Sequence, residues 1–176
     1  DAGIGEAISG AFRHSSAEVI DATCDLLGEA LSGARYRPLL LLENLWQPGL
    51  TLTDPAMTQR LLEGVPYENV GLMLDTGHLF HTNEGIATQE EGLSYIHRML
   101  DCHGALAERI RGVHLHQSIT GEHARSIRAN PPKLGNTYEE RAWQMFEHAF
   151  AIDRHQPFTC AGVRNLIQRI SPDYLT

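Results

Sequence analysis

Gly71-Leu72-Met73-Leu74-Asp75-Thr76-Gly77-His78 is the stretch on which the fold turns. Val70 to Leu74 is an unbroken apolar run, the pattern of a strand buried on both faces. It ends in an acid, a tight turn allowed by Thr76 and Gly77, and a histidine three residues on. An aspartate and a histidine at the mouth of a buried strand are costly unless they hold something, and the usual something is a metal ion. The plain alternative is that Asp75 caps the next element and His78 hydrogen-bonds to loop backbone. The stretch by itself does not choose between them.

Similar strands flank it. Pro38 to Leu42 is all apolar and runs into Glu43-Asn44-Leu45-Trp46, and Arg111-Gly112-Val113-His114-Leu115-His116-Gln117 makes a third strand. Asp173 to Thr176 reads as the start of a fourth. Helices lie between them. Ser15/Glu18, Thr88/Glu91 and Thr137/Glu140 are capping boxes, and Asp54-Pro55 is an N-cap followed by proline at the first helical position. The apolar spacing predicts helices from residue 15 to Gly33, from 54 to Gly64, and from 88 onward with a break at Gly104. Two more follow, one on Trp143, Phe146, Phe150 and Ile152 and one on Val163 to Ile170. Residues 1–14 and the polar stretch 118–136 read as loops, and the latter is long enough for a lid. Strict alternation of strand and helix implies a parallel sheet with right-handed crossovers, an α/β fold.

All three complete strands carry ionisable residues at their carboxyl ends: Glu43, Asp75, and His114 with His116. In parallel α/β folds that is the functional face. A mixed set of carboxylates and imidazoles suits zinc, manganese or another first-row divalent ion better than calcium. Asp153 and His155 flank Arg154 at a helix break, where they also read as a simple turn. Arg125, Arg128 and Lys133 offer a phosphate contact or a solvated loop. His97, His103 and His148 lie within helices and read as structural, and Cys24 and Cys102 as core. There is no nucleophile elbow and no glycine-rich phosphate loop.

The chain has 176 residues and a net charge of −8, with one lysine. That balance argues against a protein that coats nucleic acid. No apolar run approaches the length of a membrane span. Three cysteines at wide spacing form neither a zinc pair nor a disulfide framework, which points to a reducing cytoplasm.

Leu42-Glu43-Asn44, Leu74-Asp75-Thr76-Gly77-His78, Val113-His114-Leu115-His116-Gln117-Ser118 and Asp153-Arg154-His155 occur in an order that resembles the xylose isomerase-like TIM barrels. That group contains sugar and sugar-phosphate isomerases and epimerases together with endonuclease IV-type enzymes (AP endonuclease family 2). The resemblance implies metal ligands at Glu43, Asp75 and His114, with Asp153 and His155 matching a pair that holds an additional zinc in the endonuclease branch. It also implies Glu43 as the proton-moving carboxylate, and His78 and His116 as residues that orient substrate. Trp46 either lines the substrate pocket or plugs the end of the barrel. The implied cofactor is zinc or manganese, with magnesium or cobalt as substitutes. A whole barrel takes eight strands and roughly 250 residues. Residues 1–176 are therefore expected to be one partial domain, the C-terminal half of a (β/α)8 barrel, lacking its first strands and the end of its last. The expected activity is isomerisation or epimerisation of a sugar or sugar phosphate. Cleavage of DNA at abasic sites and a non-catalytic barrel fragment are the alternatives. Nucleic acid is a partner only in the second case, no membrane is expected, and an oligomer is compatible with everything above.

Overall fold

Four strands make one parallel sheet in the order β1 (Leu40–Glu43), β2 (Val70–Asp75), β3 (Ile110–His114) and β4 (Tyr174–Leu175). They belong to a computed structural model that describes residues 2–176. The helices are α1 (Ala2–Ser9), α2 (Ser16–Leu31), α3 (Pro55–Gly64), α4 (Thr76–His81), α5 (Gln89–His103), α6 (Gly121–Ala129), α7 (Tyr138–Ile152) and α8 (Val163–Ile170). Each capping box closes as its sequence requires. In α5, Thr88 accepts from the Glu91 N–H at 3.2 Å while Glu91 accepts from the Thr88 N–H at 3.2 Å. Gly104, at φ +52°, ends α5 and begins a 3-10 turn that feeds β3.

The two faces of the sheet have different partners. Leu72, Leu74 and Val113 are fully buried in one core with Ile20 of α2, Ile96 of α5 and Leu166 of α8. Leu41, Met73 and Gly112 meet on the other face. A Cβ on Gly112 would lie 2.7 Å from Met73 Sδ and 3.0 Å from Leu41 Cδ1. One step further along the same face, at the carboxyl ends, stand Glu43, Asp75 and His114, with Asp75 and His114 paired in register.

Several expectations are corrected. Residues 2–9 are helical rather than a loop: α1 packs on α6 and α7 with Ile8 buried, and Gly10 at φ +70° stops it. The polar stretch 118–136 contains α6, which Thr120 anchors by donating to the Ile152 carbonyl at 2.6 Å, before Pro131-Pro132 ends the turn. Its Arg125 and Arg128 are exposed and both engage Glu84, Arg125 at the backbone carbonyl and Arg128 at the carboxylate. Thr76 and Gly77 begin helix α4, not a tight turn. Cys102 is exposed, whereas Cys24 is buried. Trp143, Phe146 and Phe150 of α7 are exposed, and only Ile152 of that apolar set is core.

Candidate metal centre

The Asp75 side chain is fully buried, and its two oxygens do different work. Oδ1 accepts the His78 N–H at 2.7 Å and caps α4. Oδ2 lies 2.9 Å from His114 Nδ1 and 3.0 Å from His116 Nε2. The cap that the sequence offered as one reading is therefore made by one oxygen, and the other is left among the imidazoles of the candidate site. His78 likewise makes the backbone contact: its Nδ1 sits 2.8 Å from the Asn44 carbonyl oxygen, which leaves Nε2 facing Asp153 Oδ2 at 3.4 Å.

The rest of the site closes around this pair. Glu43, at the end of β1, is 41% exposed, with Oε1 3.4 Å from His78 Nδ1. One ligand atom each from Glu43, Asp75 and His114 falls within 4.8 Å of the others, and so do those of His114, His116 and His155. Asp153 Oδ2 contacts His155 Nε2 at 2.9 Å. His155 stacks on His116, ring centroids 4.0 Å apart and nearly parallel. The Trp46 ring leans on His78 at 4.9 Å and on His81 at 5.1 Å. Glu43, Trp46, Asp75, His78, His114, His116, Asp153 and His155 thus lie in one cluster. His116 is the most enclosed of the substrate-facing candidates, with Nε2 on Asp75 and Nδ1 3.4 Å from Ser118 Oγ.

Burial alone would raise the Asp75 carboxyl. The His116 hydrogen bond, the His78 N–H and the charges of both imidazoles outweigh it and hold the group below its ordinary value. Asp153 behaves alike: burial is overcome by His78 and His155, and it too is lowered. For His78, burial pushes downward, but the Asp153 contact and the Asp75 charge prevail and raise it. In metal-free protein the two aspartates therefore contribute stability that is complete above the ordinary carboxylate range of ~4 and is lost as pH falls through their lower folded values. The His78 contribution is complete below ~6.5 and is lost as pH rises through its raised folded value. His81 and His148, both lowered chiefly by burial, act the other way, their contribution growing as pH rises towards ~6.5, so urea unfolding of chelator-treated protein is expected to show maximal stability near pH ~6.5. A profile that keeps rising above neutrality would contradict this arrangement.

The donor set fits a divalent first-row ion. Two carboxylates and an imidazole from three adjacent strands converge, with further imidazoles behind them. Asp75 Oδ2 stands between two imidazole nitrogens, His114 Nδ1 and His116 Nε2.

Four further residues support the site, and three of them, Asn44, Thr76 and Ser118, lie inside the quoted stretches, which give them no role at the site. Asn44 is fully buried and ties β1 to β2, accepting the Asp75 N–H at 2.8 Å and donating to the Asp75 carbonyl at 3.1 Å. Thr76 donates to the His116 carbonyl at 2.6 Å and accepts its N–H at 3.0 Å. Ser118 donates to Asp153 at 3.3 Å and accepts the Arg154 N–H at 2.9 Å. His81 is buried one helical turn beyond His78, a spacing that means something only once α4 is known to be a helix. Gly77 is present for space: a Cβ there would lie 2.1 Å from His116 Cε1. Gly77→Ala is expected to displace His116, at a cost of about 1–3 kcal/mol in denaturant unfolding and about 10–100-fold in metal affinity by titration.

Comparison with known proteins gives one match. The family model described as xylose isomerase-like TIM barrel covers residues 7–169. No curated protein and no solved structure gave a significant match.

Proposed function

The chain belongs to the xylose isomerase-like TIM barrel family, and from that premise we propose that it is a divalent-metal-dependent isomerase or epimerase of a sugar or sugar phosphate. The observation that carries this reading is the convergence of Glu43, Asp75 and His114 at the carboxyl ends of three adjacent strands. These three residues hold the ion, with Asp153 and His155 beside them, and zinc or manganese suits the set best. Bound there, the ion supplies a Lewis acid that polarises a carbonyl oxygen. Glu43, the exposed carboxylate, takes the proton from the carbon next to that carbonyl and returns it to the neighbouring position. His78 and His116 orient hydroxyls, and Trp46 keeps water from the reacting carbon. We also read the four parallel strands as the second half of an eight-stranded barrel, with the remaining strands contributed from outside residues 1–176. Free cysteines are compatible with a cytoplasmic setting. Among the described residues, no helix is long and apolar enough to cross a membrane.

One contact favours a second reading, hydrolysis of a phosphodiester at abasic DNA. Asp153 stands between His78 and His155 and makes, with them, a set able to hold a further ion. The acidic balance and the pairing of Arg125 and Arg128 with Glu84 weigh against a surface that tracks a phosphate backbone. The deciding experiment gives the full-length, metal-loaded protein a panel of ketoses and ketose phosphates in tritiated water, and separately an abasic duplex. Tritium entering the sugar next to its carbonyl is the expected result. Duplex cleavage without exchange would establish the second reading, and neither activity in a metal-loaded protein would leave a non-catalytic barrel.

A further inference from the structure

Trp46 also borders a partly open cavity of about 220 Å³ among α1, α4, α6 and α7. Its walls include Ile8 of α1, Phe12, Trp46, His81 of α4, Arg128 of α6 and His148 of α7. Two of these residues are anomalous. His81 Nε2 and His148 Nδ1 are both buried and have no hydrogen-bond partner among the described residues. His81 is held neutral, lowered to about 4 chiefly by burial. Burial lowers His148 too, helped by the neighbouring His123 and Arg128. An unpaired buried polar atom costs about 1–3 kcal/mol. Two such atoms in the walls of one cavity call for a common partner rather than two separate accidents.

We propose that this cavity is a binding site for an uncharged, hydroxyl-bearing group, and that it receives the far end of the substrate whose reacting end lies at the metal cluster. The choice of class follows from the walls. A neutral imidazole nitrogen pairs with a hydroxyl that can turn to donate or accept. The Arg128 charge is already matched by Glu84, so the site offers no unbalanced charge to a phosphate or carboxylate. Trp46, Phe12 and Ile8 present apolar surface to the C–H faces of a polyol. The volume is below the about 300–1,000 Å³ of drug-sized sites and suits a single sugar-sized group. Trp46 is a common wall, since its ring touches His78 of the cluster and His81 of the cavity. The second half of this proposal rests on the isomerase reading. The first half does not.

The test uses the full-length protein with metal removed by chelator, so that polyol binding is read apart from catalysis. Sorbitol is the probe and Trp46 fluorescence the signal, with Trp46→Phe to identify the contribution of that ring. Wild type is expected to give a saturable change. His148→Phe, which removes the unpaired nitrogen, and Ala124→Leu, which fills the cavity from α6, are each expected to weaken it at least about tenfold. His148→Gln, which keeps a hydrogen-bonding end, is expected to stay within about threefold of wild type. Whichever of the two weakening variants folds serves for the decision. No saturable change in wild type, meaning a cavity that holds only water, overturns the proposal, and so does unaltered binding in a folded His148→Phe or Ala124→Leu protein. Sorbitol binding without tritium exchange would sink the isomerase reading while leaving the site. Exchange without sorbitol binding would do the reverse.

Discussion

Replacing Asp75 by alanine is expected to abolish divalent-metal binding and to lower stability by about 3–5 kcal/mol. The magnitude comes from the number of separate things one carboxylate does. Oδ1 caps α4, a contact worth ~1 kcal/mol when lost. Oδ2 is the shared partner of His114 and His116, and its removal leaves two imidazoles facing a cavity with nothing to accept from them. The residue is fully buried, so water does not replace it cheaply. Asp75→Asn separates shape from charge. It keeps an acceptor for the cap and a group of nearly the same volume, and is expected to cost only about 1–2 kcal/mol. It should still weaken metal binding by about 100-fold or more, because the ligand has lost its charge. Denaturant unfolding and metal titration on the same two variants check both numbers. An alanine variant as stable as wild type would show that the cluster does not depend on this acid.

Glu43→Gln is expected to do the opposite: little to stability, much to rate. Glu43 ends a strand with its side chain 41% exposed, and its closest ionic contact is His78 at 3.4 Å. Changes at exposed sites of this kind stay within about 0.5 kcal/mol. An amide cannot accept the proton, so turnover should fall by the ~10²–10⁴ typical of a positioned general base. Weaker metal binding adds to the loss, and saturating metal in the exchange assay isolates the proton-transfer part. Full exchange in a metal-loaded Glu43→Gln protein would remove Glu43 from the reaction.

What the sequence disclosed and what it hid divide along a physical line. Caps, strand ends and glycine stops are local, and Ser15, Thr88, Thr137 and Asp54 announced their helices because each bonds within three residues. The residues of the candidate site were legible for a similar reason, since an acid or histidine ending a buried strand is conspicuous in any α/β chain. The misses all depend on distant partners. The glycines near the amino end suggested a loop, and α1 is a helix because α6 and α7 lie against it. Gly77 suggested a turn, although its role is to make room for a ring 39 residues away. Trp143, Phe146 and Phe150 recur at helical spacing without being core, because periodicity reports a face and not what covers it. Asp75 shows the limit best. The sequence posed cap against ligand as alternatives, and only the geometry revealed that one oxygen can serve each purpose.

If Glu43, Asp75 and His114 form a metal centre, the protein retains an ion, and counting ions reads this without an assay of turnover. Full-length protein, freed of metal, is dialysed against zinc or manganese, and the ions retained per chain are determined by elemental analysis beside Asp75→Asn treated alike. At least one tightly held ion per wild-type chain, and its loss from a folded Asp75→Asn protein, is the expected result. A folded wild-type protein that retains no ion, or a variant that retains as many as wild type, would contradict it.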